Sequence, residues 1–283
     1  MKNDETERPA DHTVCFLEGK NKMKLELRNL DCGYPGSDPI LRNINFEVET
    51  GRICCLLGPN GVGKSTLFKT ILTLIKPMNG QILVDGQDIS KWKPKQISQV
   101  LGYVSQFHVP PFPYLVKDVV LLGRLGSTGY FGQPSLHDLE IVEKVMDEMG
   151  ITYMRNTPYT DISGGERQLV MIAKVLAQEP SFLVMDEPAS NLDFGNMVKI
   201  INKIRNLRNK GYGIIMTTHS PDQAFMCESD VVLLQRNKPV EFGPVEHVIT
   251  ERNIWDSYGV QVKVLEFLDR RGRTVRVCSP ELD

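Results

Sequence analysis

Residues 58–66 read GPNGVGKST, a glycine-rich run that ends in a lysine and two hydroxyl side chains. Its three glycines lack a Cβ, so the backbone can turn tightly and point its N–H groups at phosphate oxygens. The lysine can reach the β- and γ-phosphates of a nucleotide, and the serine hydroxyl can complete a Mg²⁺ shell. The expected nucleotide-binding residues of this phosphate loop are Gly58, Pro59, Asn60, Gly61, Val62, Gly63, Lys64, Ser65 and Thr66.

The segments on either side of the phosphate loop fit this chemistry. The apolar run Ile53–Leu57 precedes the loop, and a helical pattern of apolar residues follows from Leu67 to Ile75. Strand, glycine loop and helix in this order are the context that such a motif requires. A helix that begins near Lys64 also adds the positive end of its dipole to the site. The sequence therefore predicts a site for a nucleoside triphosphate with magnesium, and the fit of both flanks disfavours a chance glycine turn.

The bulk composition limits the class of protein. Of 283 residues, 41% are hydrophobic, which is enough for a sizeable core, and the net charge of −2 gives no field that attracts nucleic acid. No run approaches the ~18 apolar residues of a membrane-spanning helix. The six cysteines show no C-x-x-C spacing, which favours reduced thiols in a cytosolic protein over a zinc or redox site. Residues 1–22 lack signal-peptide features, and we expect a disordered extension there.

The order of elements indicates an α/β fold. Short alternating strands are predicted in residues 23–57 and 81–89, and a further strand in residues 101–106, ending in Gln106. The apolar runs 182–185 and 214–218 predict neighbouring strands of a parallel sheet, joined by an amphipathic helix over 196–210.

Residues 107–135 are rich in proline, glycine and aromatic residues, and helical patterns at 115–124 and 136–149 flank or overlap them. We expect a helical insert at about 107–162, because long loops without a purpose are uncommon in compact domains. Two strand-like runs, 262–265 and 274–277, follow in the C-terminal part of the chain.

Four further motifs follow the phosphate loop in a fixed order. They are Gln106 at a strand end, the run SGGE at 163–166 opening a helix, the run DEPASNLD at 186–193 after an apolar strand, and His219 at the end of the next strand. Together with the loop, this order closely resembles the ATP-binding subunit of an ABC transporter over roughly residues 25–245. The resemblance implies a P-loop ATPase core with an antiparallel β subdomain at 23–106 and 163–244, a helical subdomain at 107–162 and a small extension at 245–283.

The chemistry of these residues agrees with the roles that the resemblance implies. Asp186 is a hard oxygen ligand at the end of a buried strand, so Ser65, Gln106 and Asp186 are the expected Mg²⁺ ligands. Glu187 is expected to polarise the attacking water. His219 is expected to hold the γ-phosphate and Glu187 in register, and Gln106 to touch the water and link to a membrane partner.

Other motif residues are implied to act between two copies of the chain. Ser163, Gly164, Gly165 and Glu166 offer a hydroxyl and backbone N–H groups at a helix N-terminus, which is an anion site. In the family these residues complete the ATP site of the opposite subunit, so ATP lies between two copies, and the loop with Asn191 and Asp193 crosses that interface. Tyr34 resembles the aromatic residue that stacks on adenine, and a core or turn tyrosine is the less favoured alternative.

The chain departs from the family pattern at two places. Glu166 stands where glutamine is usual, and Ser220-Pro221-Asp222 follows His219 in place of the commoner Asp-Leu. An acid near a phosphate is unfavourable unless its side chain points away. The second change is expected to alter the loop and leave the role of the histidine intact.

The segments 110–124 and 131–138 resemble ATPase subunits of importers for iron–siderophore, haem and cobalamin, with molybdate-type relatives. This resemblance implies a permease docked behind Gln106, a solute-binding protein as an indirect partner, and a peripheral location on the cytoplasmic face of the membrane. A soluble ABC ATPase of iron–sulfur assembly or DNA repair, a molybdate importer, an exporter subunit and a non-transport module are the alternatives.

Overall fold

The computed structural model describes residues 22–106, 112–128, 133–236 and 238–282. The extension expected at 1–22 lies outside these ranges apart from Lys22. Residues 110–111 and 131–132 of the two segments behind Gln106 also lie outside them.

The strands are β1 (Lys24–Cys32), β2 (Leu41–Glu49), β3 (Ile53–Leu57), β4 (Asn79–Val84), β5 (Gln87–Asp88), β6 (Leu101–Val104), β7 (Phe182–Met185), β8 (Gly213–Thr218), β9 (Asp230–Leu233), β10 (Glu241–Pro244), β11 (Val262–Leu268) and β12 (Thr274–Pro280). The α-helices are α1 (Lys64–Ile71), α2 (Pro94–Ser98), α3 (Val116–Leu121), α4 (Leu125–Thr128), α5 (Leu136–Met149), α6 (Gly164–Leu176), α7 (Phe194–Asn209), α8 (Pro221–Cys227), α9 (Val245–Val248) and α10 (Glu251–Tyr258). Single 3₁₀ turns occur at Ile89–Lys91, Leu122–Arg124, Thr152–Met154 and Tyr159–Asp161.

The central sheet has the strand order β10-β9-β3-β8-β7-β6, and its pairings are parallel except for the edge strand β10. Leu57 of β3 pairs with Thr218 of β8, and Met185 of β7 pairs with Met216 of β8 and with Val104 of β6. The residues that follow these four strands therefore emerge side by side along one edge of the sheet, which is where open α/β sheets hold their ligands.

Strand β3 is buried on both faces, as expected of a strand in a parallel sheet. Its side chains alternate between two cores: Ile53, Cys55 and Leu57 join the core on the helical side, and Cys54 and Leu56 join the core on the other side. Both cysteines are free thiols. The apolar continuity of this run is thus what anchors the phosphate loop that follows it.

A second, antiparallel sheet with the order β2-β1-β4-β5 covers one face of the central sheet. Alternating apolar residues of β1 and β2, such as Leu25, Leu27 and Phe46, pack in one core with Cys54 and Leu56 of β3. The buried face of α1 closes the same core. Helices α3, α5, α6, α7 and α8 supply the core on the opposite face.

A buried ion pair joins the helical segment to the rest of the chain. Arg124 Nε donates to Asp138 Oδ1 at 2.8 Å, and Arg124 Nη1 donates to the carbonyl oxygen of Ala177 at 2.6 Å and to Glu179 Oε2 at 3.0 Å. Asp138 also accepts hydrogen bonds from Ser135 at the start of α5. These bonds, first those from Ser135 and then that from Arg124, hold the pKa of Asp138 well below its usual range. The network fixes α5 against the C-terminal end of α6.

The C-terminal part contains two short helices and a hairpin. Thr250 caps the N-terminus of helix α10, and its hydroxyl oxygen accepts from the Asn253 N–H at 3.1 Å. Gly259, in the left-handed conformation, caps the C-terminus. Strands β11 and β12 pair antiparallel. The Cys278 N–H donates to Asp222 Oδ1 at 2.8 Å, which ties the hairpin to α8.

The predicted α/β class with a mostly parallel sheet, an antiparallel sheet and inserted helices is confirmed. Several element bounds were wrong. Strand β6 ends at Val104, so Gln106 lies in the bend beyond it, and α1 ends at Ile71 because Thr73 has a φ of 57°. Helices α9 and α10 were not predicted. Within the described ranges, no helix has both the length and the apolar character needed to cross a membrane.

Replacing Arg124 by methionine should lower the free energy of unfolding by about 3–5 kcal/mol, because it removes the counter-charge from a buried carboxylate. Chemical denaturation followed by circular dichroism measures this loss. Arg28→Met is the matched control, since Arg28 pairs with Glu26 on the exposed surface and its loss should change stability far less. Equal losses in the two variants would contradict the structural role of the buried pair.

Candidate functional site

Residues that follow three strands, together with Ile40 before a fourth, line one cavity of about 460 Å³. The lining side chains and backbone come from the phosphate loop, from the ends of β6 and β7, and from the segment before β2. They are Ile40, Asn60, Gly61, Gly63, Lys64, Ser65, Thr66, Gln106, Asp186 and Glu187. The cavity thus unites a lysine, a serine hydroxyl and two carboxylates that are far apart in the sequence.

The phosphate loop is shaped by contact with the antiparallel sheet. Gly63 is the N-cap of α1 with a φ of 117°, a conformation that residues with a side chain rarely adopt. A Cβ on Gly63 would lie 3.0 Å from both Ile40 Cγ2 and Leu41 Cγ. The loop therefore needs glycine here for its backbone angle and for its close packing. The first N–H groups of α1 have no acceptor within the helix, and Gly63 to Thr66 line the cavity.

Lys64 is buried and its ammonium group is held by the loop itself. Nζ donates to the carbonyl oxygens of Gly58 at 2.5 Å and Pro59 at 3.2 Å. Burial lowers the pKa of Lys64, and the negative charges of Glu187 and Asp186 oppose that shift. The side chain is thus a cation near two carboxylates, in a position to bind an anion above the loop. The guanidinium Nη2 of Arg236 lies 3.7 Å from the position of a Cβ on Gly61 and adds positive charge beside the loop.

The hydroxyl of Thr217 positions both carboxylate residues. Thr217 is fully buried on β8, and its Oγ1 donates to Asp186 Oδ1 at 2.6 Å. The same oxygen accepts the Glu187 N–H at 2.8 Å. One side chain of the neighbouring strand therefore fixes the Asp186 carboxylate and the Glu187 backbone together. Sequence reasoning missed this role; the available signal was a pair of threonines at the end of an otherwise apolar strand.

Glu187 is held in a strained backbone conformation, with a φ of 46°. Such angles persist at functional sites only where surrounding contacts enforce them. Here Thr217 binds its N–H, and its carbonyl oxygen accepts from the Ser190 hydroxyl at 2.9 Å. Its Oε2 accepts from Gln106 Nε2 at 3.0 Å and lies 3.6 Å from His219 Nδ1. The carboxylate is thereby directed between the glutamine and the histidine.

The oxygen donors of the cavity suit Mg²⁺. The Ser65 hydroxyl, the Gln106 side-chain amide and the Asp186 carboxylate are oxygen ligands, and all three residues line the cavity. Across the described ranges, no cluster of three or more His, Cys, Asp or Glu side chains could hold a metal by itself. This donor set fits a cation that takes its remaining ligands from phosphate oxygens and water, as Mg²⁺ does at nucleotide sites.

The signature turn, residues 163–166, caps α6 and lies outside the cavity lining. Glu166 Oε2 accepts from the Ser163 N–H at 2.8 Å and from Ser163 Oγ at 2.7 Å, which forms a capping box. The Tyr153 hydroxyl donates to Glu166 Oε1 at 2.5 Å. These bonds, first that from Tyr153 and then those from Ser163, lower the pKa of Glu166. The acid at the position of the usual glutamine is folded back onto its own turn.

The remaining predicted residues lie outside the cavity lining. Asn191 has a φ of 56°, and Asp193 caps α7 by accepting the Asn196 N–H at 2.9 Å. Both are exposed, as are Ser163 and Gly164. Tyr34 lies in the β1–β2 connection with 43% of its surface exposed. Tyr34, His219, Asn191, Asp193 and the signature turn do not line the cavity.

Residues 41–190 match the family model described as ABC transporter. The chain is 31% identical to the molybdate import ATP-binding protein MolC of Haemophilus influenzae, a match covering 81% of this chain and 86% of MolC. It is also 31% identical to the ferric enterobactin transport ATP-binding protein FepC of Escherichia coli, over 86% of this chain and 90% of FepC.

The structure is similar to a solved metal-chelate type ABC transporter in an inward-facing conformation. The TM-score is 0.82 at 28% sequence identity, and the match covers 92% of this chain and 98% of that chain.

Replacing Thr217 by valine should reduce the turnover of a bound nucleotide about 100-fold, because both carboxylate residues lose their common anchor. Nucleotide affinity should change little, since Lys64 and the loop are untouched. Steady-state hydrolysis and binding of a fluorescent nucleotide measure the two effects.

Thr70→Val is the matched control, since its buried hydroxyl donates to the Thr66 carbonyl oxygen at 2.8 Å and Thr70 does not line the cavity. Both variants should lose about 1–3 kcal/mol of stability. A similar loss of turnover in both would mean that Thr217 acts only through stability.

Proposed function

This chain belongs to the ABC transporter family, in which it is an ATP-binding subunit with ATPase activity, and we propose that it powers the uptake of a metal chelate. The transported class is an iron–siderophore, haem or cobalamin type of complex. The ATPase activity is supported by one observation, which is that Lys64, Asp186 and Glu187 line the same cavity. Phosphoryl transfer needs positioning and charge stabilisation more than covalent chemistry, and this cavity offers both.

The proposed reaction is the attack of water on the γ-phosphorus of ATP, with cleavage of its bond to the oxygen of ADP. Glu187 orients and polarises the water, since its carboxylate is fixed by Gln106 and lies near His219. Lys64 and the N–H groups of the phosphate loop bind the β- and γ-phosphates. His219 holds the γ-phosphate in register with Glu187. Mg²⁺, when bound by Ser65, Gln106 and Asp186, supplies positive charge to the phosphate oxygens.

A second copy of the chain is proposed to complete each ATP site. Ser163 and Gly164 of the signature turn are exposed, as are Asn191 and Asp193, and none of these residues lines the cavity of its own chain. The turn presents the N-terminus of a long helix, which favours an anion. Two copies arranged head to tail would bring this turn over the phosphates of the partner. Because ATP then binds the dimer better than the protomers, ATP stabilises the dimer.

The transported substrate is proposed from the relatives. The name of FepC and the description of the solved transporter support a metal chelate, while MolC makes an oxyanion such as molybdate the second candidate. The proposed partners are permease subunits that dock behind Gln106, and indirectly a solute-binding protein. The chain would lie peripherally on the cytoplasmic face of the membrane. The net charge of −2 gives no support for a nucleic-acid partner.

Glu187→Gln should bind ATP with nearly unchanged affinity but hydrolyse it at least about 100-fold more slowly, because the amide is a poor base for the water. The variant should elute as a dimer in ATP and as a monomer without it. Lys64→Ala should lose tight ATP binding, and Glu140→Gln, an exposed change on α5, should behave like the unmodified chain. Undiminished hydrolysis by Glu187→Gln would show that Glu187 does not polarise the attacking water.

The transport proposal is tested by purification from membranes. A tagged chain should copurify with a polytopic membrane protein, and the reconstituted complex should take up a ferric chelate in an ATP-dependent way. Uptake of molybdate in place of the chelate would select the second candidate. Full ATPase activity without any membrane partner would favour the alternative of a soluble ABC ATPase.

A further inference from the structure

Asn196 joins two segments that are separated in the sequence. It lies in the first turn of α7, where its Nδ2 donates to Asp193 Oδ2 at 2.6 Å and its backbone N–H donates to Asp193 Oδ1 at 2.9 Å. On its other side it packs against Gly165 of the signature turn. A Cβ on Gly165 would lie 2.8 Å from Asn196 Cγ and 3.0 Å from Asn196 Oδ1.

The contact leaves no room for a side chain on Gly165. Real Cβ atoms essentially never approach a heavy atom within 3.0 Å, so the amide group of Asn196 lies directly on the glycine backbone. Leu192 Cδ2 lies 3.9 Å from the position that a Cβ on Gly164 would occupy, so a side chain at Gly164 would reach Leu192. The direct packing between the two segments is therefore that of Asn196 on Gly165.

The hydrogen bonds fix the orientation of Asn196 in this contact. Asp193 accepts from both the backbone and the side chain of Asn196, and these bonds lower the pKa of Asp193. The side-chain amide cannot rotate away from Gly165 without losing its bond to the carboxylate. A shift of the turn is therefore transmitted to the 191–193 loop by direct packing, because close-packed groups transmit displacement.

We infer that Asn196 is a positioning residue that holds the signature turn and the 191–193 loop as one unit. The inference rests on the proposed function, in which both segments face a second copy of the chain. Asn196 does not line the cavity of its own chain. It keeps the signature turn and the 191–193 loop in a fixed relative position. Both segments can then contact the second copy at the same time, so that both ATP sites of the dimer form together.

A rival explanation for Gly165 is that the nucleotide of the partner needs a bare backbone there. The two explanations differ in what relieves Gly165→Ala. Gly165 lies in the first turn of α6 and has no positive φ, so alanine is not disfavoured there by backbone conformation. A loss of stability in Gly165→Ala would therefore come from a clash. If the clash is with Asn196, shortening Asn196 to alanine should relieve it.

The experiment is a double-mutant cycle on the full chain with Gly165→Ala, Asn196→Ala and both together. Thermal unfolding without nucleotide reports the contact itself. We expect Gly165→Ala to lower Tm and the double variant to unfold at or above the Tm of Gly165→Ala. Losses of Tm that simply add would overturn the inference, because the two residues would then not be coupled.

Turnover tests the positioning role. Asn196→Ala should lower kcat about tenfold while the affinity of the protomer for a fluorescent ATP analogue stays within about twofold, since the phosphate loop is unaltered. Asn202→Ala is the matched control, because Asn202 is exposed further along α7. An unchanged kcat for Asn196→Ala, or a matching loss in Asn202→Ala, would overturn the role. So would a comparable loss of protomer affinity.

Failure of the proposed function gives a different result. If Glu187→Gln forms no ATP-dependent dimer, the shared site is wrong whatever the cycle shows. The Tm cycle is measured on the chain without nucleotide, so it still tests the contact between Asn196 and Gly165. A coupled Tm cycle together with the kcat loss and an ATP-dependent dimer is the full expected result.

Discussion

The parallel pairing of β3, β8, β7 and β6 is the constraint on which the site depends. Because these strands run in one direction and end nearly level, the residues after them share one edge of the sheet. That edge receives the phosphate loop after β3, Gln106 after β6, Asp186 and Glu187 after β7, and His219 after β8. The two cores that bury β3 on both faces keep this edge rigid. The chemistry is therefore assembled from short segments whose own conformations need little stability.

Local strain at Glu187 shows how the edge is used. A glutamate with a φ of 46° is unfavourable by itself, by an amount of order 1–3 kcal/mol. The Thr217 hydroxyl oxygen accepts a hydrogen bond from the Glu187 backbone N–H, and the Ser190 hydroxyl donates to the Glu187 carbonyl oxygen. The Gln106 amide donates to the Glu187 carboxylate. The neighbouring strands thus hold the side chain in one direction, as preorganised catalysis requires. The cost of the conformation is offset by hydrogen bonds from elements that the sheet already places there.

Much of the fold and of the cavity could be predicted from the sequence, because a few short-range patterns determine them. The run GPNGVGKST predicts a loop between a strand and a helix, and continuous apolar runs such as Phe182–Met185 indicate buried parallel strands. What could not be predicted depends on contacts distant in the chain. Thr217 is a plain strand residue until Asp186 and Glu187 lie beside it, and Glu166 is merely an unexpected acid until Tyr153 and Ser163 bind it.

Arg124 has a structural role that its sequence context did not predict. In the sequence it served as an indication of the importer branch, and in the structure Arg124 and Asp138 form a buried ion pair that packs α5 against α6. The ends of β6 and α1 were also missed, since hydrophobic periodicity continues past the residue at which backbone geometry stops the element. The position of Asn196 against Gly165 leaves no trace in either stretch of sequence.

The hydrogen bonds of Lys64 within its own loop lower the net free energy that nucleotide binding can gain from this residue. Its ammonium group is already solvated by two carbonyl oxygens of its own loop. A phosphate that binds there exchanges with those carbonyls, so the measured free energy is the difference between two sets of hydrogen bonds and is smaller than either. Substitutions that reshape the loop carbonyls can therefore tighten binding without touching a phosphate. In this site the affinity for ATP is set by competition within the protein as much as by attraction to the ligand.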